Sequence, residues 1–209
     1  MTRISLKQKA YEYILQQVLG GGFEPGTLLN RRGVADALRM SPAPVHEAML
    51  QLESEGFLEA LPRVGTRVRV ASREDVHGHL VLREALECQA ARLICGPRLS
   101  VDRERLVRLA DAVDAVDVPD RQRAQSEVEF HVALVELADC PVLLREYRRV
   151  MQIGLFYRIN LLLSMTFRTP LKRHRELLDI LASATPDAAE AGVREHIWSG
   201  KPGTLKHGA

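Results

Sequence analysis

The sequence predicts a mainly α protein in two parts, a small N-terminal segment and an all-helical bundle behind it. Three observations carry that prediction. Between Arg31 and Gly56, two short helical patterns are separated by a tight break. Directly after them, Phe57 to Leu61 and Arg67 to Val70 read as short strands around a turn from Pro62 to Thr66. From Ser72 onward, nearly every segment repeats its apolar residues at helical spacing. Two helices with a tight connection form a helix-turn-helix, and a hairpin behind them adds a wing.

Each element has its own signal. Ser5 to about Leu19 reads as a helix: Ser5 and Gln8 have capping-box spacing, and Tyr11, Ile14, Leu15 and Val18 form its apolar stripe. Three glycines, Gly20 to Gly22, stop it. The first helix of the motif carries Val34, Ala35 and Leu38, and the second Val45, Ala48, Met49 and Leu52. Ser41 sits where a side chain caps a helix, Pro42 and Pro44 suit the first turn, and Gly56 suits a left-handed C-terminal cap. Arg67-Val68-Arg69-Val70 alternates charged and apolar residues, as a half-buried strand does.

Six helices are expected after the hairpin. They run from about Arg73 to Cys95, after Ser100, from near Arg121, from Pro141 to about Met165, from near Pro170 to near Ser183, and from Thr185-Pro186 to near Trp198. Ser72 and Asp75 mark the first start. The expected domains are 1–71, a winged helix-turn-helix, and 72–199, a helical ligand-binding and dimerisation domain. The Gly-, Pro- and Lys-containing tail 200–209 is expected to be disordered.

Composition narrows the class. The 209 residues are 46% hydrophobic, enough for real cores, and only 5% aromatic, so those cores rest on Leu, Val and Ala. Nine Lys and Arg stand against seven Asp and Glu in the first 72 residues, so that segment carries the whole net charge of +2. Cys88, Cys95 and Cys140 form no C-x-x-C pair. On one helix Cys88 and Cys95 stand roughly 10 Å apart, too far for a disulfide. An unpaired set fits a reducing cytosol, and a cytoplasmic location is expected. No apolar run reaches the length of a membrane span, and no signal-peptide core is present.

The run FEPGTLLNRRGVADALRMSPAPVHEAMLQLESEGFLEALPRVGTRV resembles the DNA-binding domain of GntR-type bacterial transcription regulators. Its marks are Pro25-Gly26, Leu29, Ala35, Leu38, Ser41, Pro44-Val45, Glu47-Ala48, Leu52, Glu55-Gly56 and Gly65. The helical half resembles the FCD ligand-binding domain of the FadR subgroup, in its six-helix VanR-like form. The resemblance implies a ligand-responsive regulator, a repressor, acting as a homodimer on a palindromic double-stranded DNA operator. The expected DNA-binding residues are Arg31, Arg32, Arg39, Ser41, Pro42, Ala43, Pro44, His46, Arg63, Gly65, Thr66 and Arg67. The family usually has arginine where this chain has Pro42 and His46, and glutamate where it has Arg31. Arginine to guanine is the commonest specific major-groove contact, so the operator is expected to differ.

A histidine pattern marks the helical half. Glu127 and His131 are four apart and share a helix face, while His174 and His196 lie on two other helices. Such a set can surround one cation inside a bundle, and imidazole with carboxylate suits Zn, Ni, Fe or Mn. The resemblance implies the same, because many FCD domains carry an Asp-x-x-x-His and two further His as metal ligands. Here Glu127 replaces the usual Asp. Arg83 and Glu87 are also four apart. Arg83 is expected to clamp the carboxylate of a small effector, with Glu87 as its partner and Arg158 as a further pocket residue. No enzymatic activity is expected. Two other readings stay open: a metal-dependent hydrolase using Glu127, His131, His174 and His196, and a helical sensor whose DNA contacts have decayed.

Overall fold

The computed structural model describes residues 4–162 and 173–199; of residues 158–162 only the backbone is described. The chain divides into two compact units, Met1–Ala71 and Ser72–Ala209. The expected end of one helix at Met165, the start of the next near Pro170 and the tail 200–209 fall outside the described residues.

The first unit begins with α1, Leu6–Gly20, capped by the Ser5 side chain on the Gln8 N–H. Only half of the expected capping box forms, because the Gln8 amide turns forward to Glu12. Strand β1, Leu28–Leu29, precedes α2, Arg31–Leu38, and α3, Pro42–Ser54. Asn30 caps α2 by accepting from the Arg32 and Gly33 N–H groups. Arg39 closes α2 at φ 53°, making the left-handed corner between the two helices. Buried Val34, Ala35, Val45, Ala48, Met49 and Leu52 pack with Ile14, Leu15 and Val18 of α1. Each such Val, Leu, Ile or Met side chain contributes roughly 1.5–3 kcal/mol of burial, and the alanines less.

Ser41 stands at the N-cap of α3 but makes no side-chain cap. A capping oxygen takes the N–H of the second or third helical residue; the third here is Pro44, which has none, and the N–H of the second, Ala43, is not taken by Ser41. The other end behaves as expected. Gly56 has φ 87°. Its N–H bonds the Glu53 carbonyl and the Phe57 N–H bonds the Leu52 carbonyl, a Schellman closure that turns the chain into the wing.

The wing is β2, Leu58–Leu61, paired antiparallel with β3, Gly65–Val68. Gly65 and Thr66 therefore belong to the strand rather than to the turn, and Arg69 and Val70 lie beyond it. Strand β1 adds to the other edge of β3, with Leu28 opposite Arg67 and Leu29 opposite Thr66. The sheet order is β1-β3-β2.

The second unit holds α4 (Arg73–Ile94), a 3-10 helix (Gly96–Asp102), α5 (Arg103–Asp114), α6 (Asp120–Glu136), α7 (Pro141–Leu162), α8 (His174–Ser183) and α9 (Pro186–Trp198). The Ser72/Asp75 capping box is complete: the Ser72 hydroxyl accepts from the Asp75 N–H, and the Asp75 carboxylate accepts from the Ser72 N–H. Thr185 caps α9 through the Ala188 N–H. Helix α9 lies along α4. Glu84 accepts from the Trp198 indole at 2.5 Å and from Arg194 at 2.7 Å, and Arg92 bonds Asp187 and Glu190. At Gly154 of α7, an added Cβ would lie 2.3 Å from His79 Nε2 of α4, so only glycine fits that crossing unchanged. No helix among the described residues is long and apolar enough to cross a membrane.

Candidate metal centre and nucleic-acid interface

Three buried histidines from three helices meet in the second unit. His131 of α6, His174 of α8 and His196 of α9 each offer a ring nitrogen within 4.8 Å of those of the other two. Their relative exposures are 0%, 1% and 7%. His131 Nε2, His174 Nε2 and His196 Nδ1 have no hydrogen-bond partner. A buried imidazole nitrogen without a partner loses its water and gains nothing in return. Three at one place fit a cation that accepts their lone pairs. Phe130, fully buried, stacks edge-on against His131 and His174 and walls the group with hydrocarbon.

Behind two of the rings stand carboxylates. Glu87 Oε1 lies 2.5 Å from His131 Nδ1, and Asp114 Oδ1 lies 2.8 Å from His174 Nδ1. A carboxylate can only accept, so each Nδ1 carries the proton and each Nε2 keeps its lone pair. This is how metal-binding histidines are held in orientation and tautomer.

Glu87 is fully buried and accepts from three donors: His131, the Tyr147 hydroxyl at 2.5 Å and Arg83 Nε at 3.0 Å. Burial acts to raise its carboxyl. The positive potential of His131 and Arg83, with the hydrogen bonds from His131 and Tyr147, holds it well below the usual carboxylate range. Burial pushes His131 down to about 4 despite the pull of Glu87, and pushes His196 down to about 2. Burial likewise acts to raise Asp114, but its bonds to His174 hold it low. Near neutral pH, His131 and His196 are thus neutral imidazoles, the form a metal requires.

Glu127, expected as a fourth ligand, is not in this group. Its carboxylate accepts from Arg83 Nη1 at 3.1 Å. The guanidinium is buried beside Glu87, and the second carboxylate completes its pairing. Arg83 therefore does point inward, but with Nε and Nη1 already engaged. Glu87 has no exposed atom with which to meet an effector; it orients His131 instead. Arg158 lies on α7, and its side chain is outside the described residues. Sequence reasoning missed Asp114 and Tyr147. Neither has a local signal: Asp114 is 60 positions from His174, and Tyr147 is 60 from Glu87.

In the first unit, α3 exposes Pro42, Ala43, His46 and Glu47, with Pro44 half-buried. Arg31 and Arg32 open α2, Arg39 sits at the corner, and Arg63 occupies the wing turn at φ 64°. All four are exposed. Arg67 is paired with Glu59 across the wing at 2.7 Å. Thr66 donates its hydroxyl to Glu53 of α3 at 2.7 Å, tying wing to helix.

A winged helix followed by a helical domain defines a class of two-domain transcription regulators. Residues 79–198 match the FCD domain, and residues 6–68 match the bacterial regulatory proteins of the gntR family. The chain belongs to the GntR family of bacterial transcription regulators and carries the FCD domain of its FadR subgroup. It is 27% identical over 98% of its length to a probable D-xylose utilization operon transcriptional repressor of Paenarthrobacter nicotinovorans, 91% of which is covered. It is 22% identical over 92% of its length to the HTH-type transcriptional repressor RspR of Escherichia coli, 86% of which is covered. A putative GntR regulator from Rhodococcus sp. RHA1 shares its fold, with a TM-score of 0.70 at 21% identity, covering 91% of this chain and 93% of that one. The protein is a DNA-binding transcription regulator and not an enzyme, which removes the hydrolase reading.

Proposed function

We propose that this protein is a metal-containing repressor that senses a small carboxylate and works as a homodimer on a palindromic operator in the cytoplasm. The observation that carries the reading is the set of unpartnered nitrogens on His131, His174 and His196. These three residues would hold a divalent transition metal, with Zn, Ni, Fe and Mn all compatible with imidazole. When bound, the metal supplies a Lewis-acidic point for an effector carboxylate. Arg83 supplies the second hold, and the effector's carboxylate would take the place of Glu127 there. Two repressors among the relatives support the sign of regulation.

An exposed stripe on α4 supports the dimer. Gly78, Val81, Leu82, Ala85, Gln89 and Leu93 are exposed at helical spacing, with Val81 48% and Leu82 50% accessible. A second copy covering this stripe would bring two winged helices to two half-sites. Light scattering giving 23.4 kDa at micromolar concentration would contradict the dimer.

Equilibrium dialysis of the full chain against zinc tests the centre. The expected result is one zinc per chain, lost in His174→Ala, with a melting temperature that zinc raises in the parent only. Equal zinc affinity in His174→Ala would remove both the centre and the effector reading built on it.

A further inference from the structure

The helix that enters the major groove in this fold carries no cation to read guanine. Helix α3, Pro42–Ser54, contains neither Lys nor Arg, and its charged residues are Glu47 and Glu53. Glu53 faces the wing, where it accepts from Thr66. The N-terminal turns of such a helix meet the base edges. Here Ala43, His46, Glu47 and Leu50 recur at helical spacing on one exposed face, with Pro42 at its start, and Leu50 is 49% accessible.

Major-groove chemistry assigns partners to these groups. Guanine shows only acceptors, N7 and O6, and needs a donor, ideally a two-pronged one. His46 is the only side chain on this face able to donate. Thymine shows a methyl group, which takes apolar contact. Pro42, Ala43 and Leu50 supply that contact. The cations stand around α3 instead: Arg31, Arg32, Arg39 and Arg63 are exposed and have no ion-pair partner among the described residues.

We infer that α3 selects its half-site through thymine methyl groups met by Pro42, Ala43 and Leu50, while the flanking arginines hold phosphate. The inference rests on DNA binding by the winged helix and adds what the helix reads. It separates the two jobs that a recognition-helix arginine usually combines. Affinity comes from the flanks and is salt-sensitive; discrimination comes from apolar contacts on a face without Lys or Arg and is not.

Selection of the full chain on duplexes with randomised half-sites is the test. The expected winners carry A·T pairs at the positions facing Pro42, Ala43 and Leu50; Glu47, on the same face, can accept only from a cytosine or adenine amino group. Replacing each such thymine by uracil removes only the methyl, and should weaken binding about fourfold per methyl buried, with the salt slope unchanged. His46→Arg should add a guanine preference, and Leu50→Ala should erase the uracil effect at one position. Both sites are exposed, so the variants should keep the parent's melting temperature. Winners with fixed G·C pairs facing Pro42, Ala43 and Leu50, or a parent indifferent to uracil, would overturn the inference while leaving DNA binding intact. No binding to any duplex at low salt would overturn both.

Discussion

Asp114 meets His174 twice. Its carboxylate accepts the His174 backbone N–H at 3.0 Å and lies 2.8 Å from the ring Nδ1, across 60 positions of sequence. His174 is the first residue of α8, whose N-cap residue, Arg173, gives no side-chain cap. The last residue of α5 thus satisfies a free helix N–H and sets an imidazole in one stroke. Asp114→Ala should therefore weaken zinc binding by roughly 10- to 100-fold, as loss of an orienting carboxylate commonly does. Dialysis against zinc beside His174→Ala checks it. An unchanged affinity would show that Phe130 and packing alone orient the ring.

The two helices of the DNA-binding motif should respond differently to loss of a cap. Asn30→Ala removes a side chain that bonds two N–H groups and should cost about 1 kcal/mol. Ser41→Ala removes a hydroxyl that caps nothing and should cost close to none. Urea unfolding of both variants makes the comparison. A larger loss in Ser41→Ala would show that Ser41 caps the Ala43 N–H.

Acid should loosen α9 from α4. Burial acts to raise Glu84, but its bonds to Trp198 and Arg194 outweigh that and leave its carboxyl lowered. A lowered carboxyl adds stability above its unfolded value of about 4.3 and loses it as pH falls through the folded value. Melting temperature should therefore fall below pH ~4.3 more steeply in the parent than in Glu84→Gln. Trp198 is the single tryptophan, so its emission reports the same event. Parallel acid profiles for parent and variant would refute the assignment.

On the wing, Arg63 and Arg67 should not be equivalent. Arg67 is held by Glu59, whereas Arg63 stands exposed at the turn. Arg63→Ala should reduce the salt slope of DNA binding by about 1 per half-site, uniformly across sequences. Arg67→Ala should reduce it less, because its partner already neutralises it. Fluorescence anisotropy across a salt series distinguishes them, and the reverse ranking would reassign the wing contact.

What was readable in the sequence is what is local. The helix-turn-helix declared itself through Val45, Ala48, Met49 and Leu52 and through Gly56, all within one stretch. The helix starts at Ser72 and Thr185 were legible because a cap and its target lie three residues apart. Strand β1 was not legible: two residues carry no period, and they pair only because β3 arrives beside them. The histidines were legible as a set because 131, 174 and 196 match the positions of the FCD resemblance together, where a single helical histidine would have said little. Their support was not. Asp114, Tyr147 and the capture of Glu127 by Arg83 are products of helix packing, and no spacing encodes them. The silence of Ser41 was only half readable: Pro44 lacks the hydrogen that a cap needs, but Ala43 keeps one.

The histidines also impose an order on the making of the protein. They reach the cluster from α6, α8 and α9, and the last of them, His196, stands two residues before the end of α9. A ribosome must release nearly the whole helical unit before the third ring can join the other two. Until then the helices up to α8 have only packing, hydrogen bonds and ion pairs to hold them. Any ion that needs all three nitrogens can be captured only by a chain whose winged helix was translated long before.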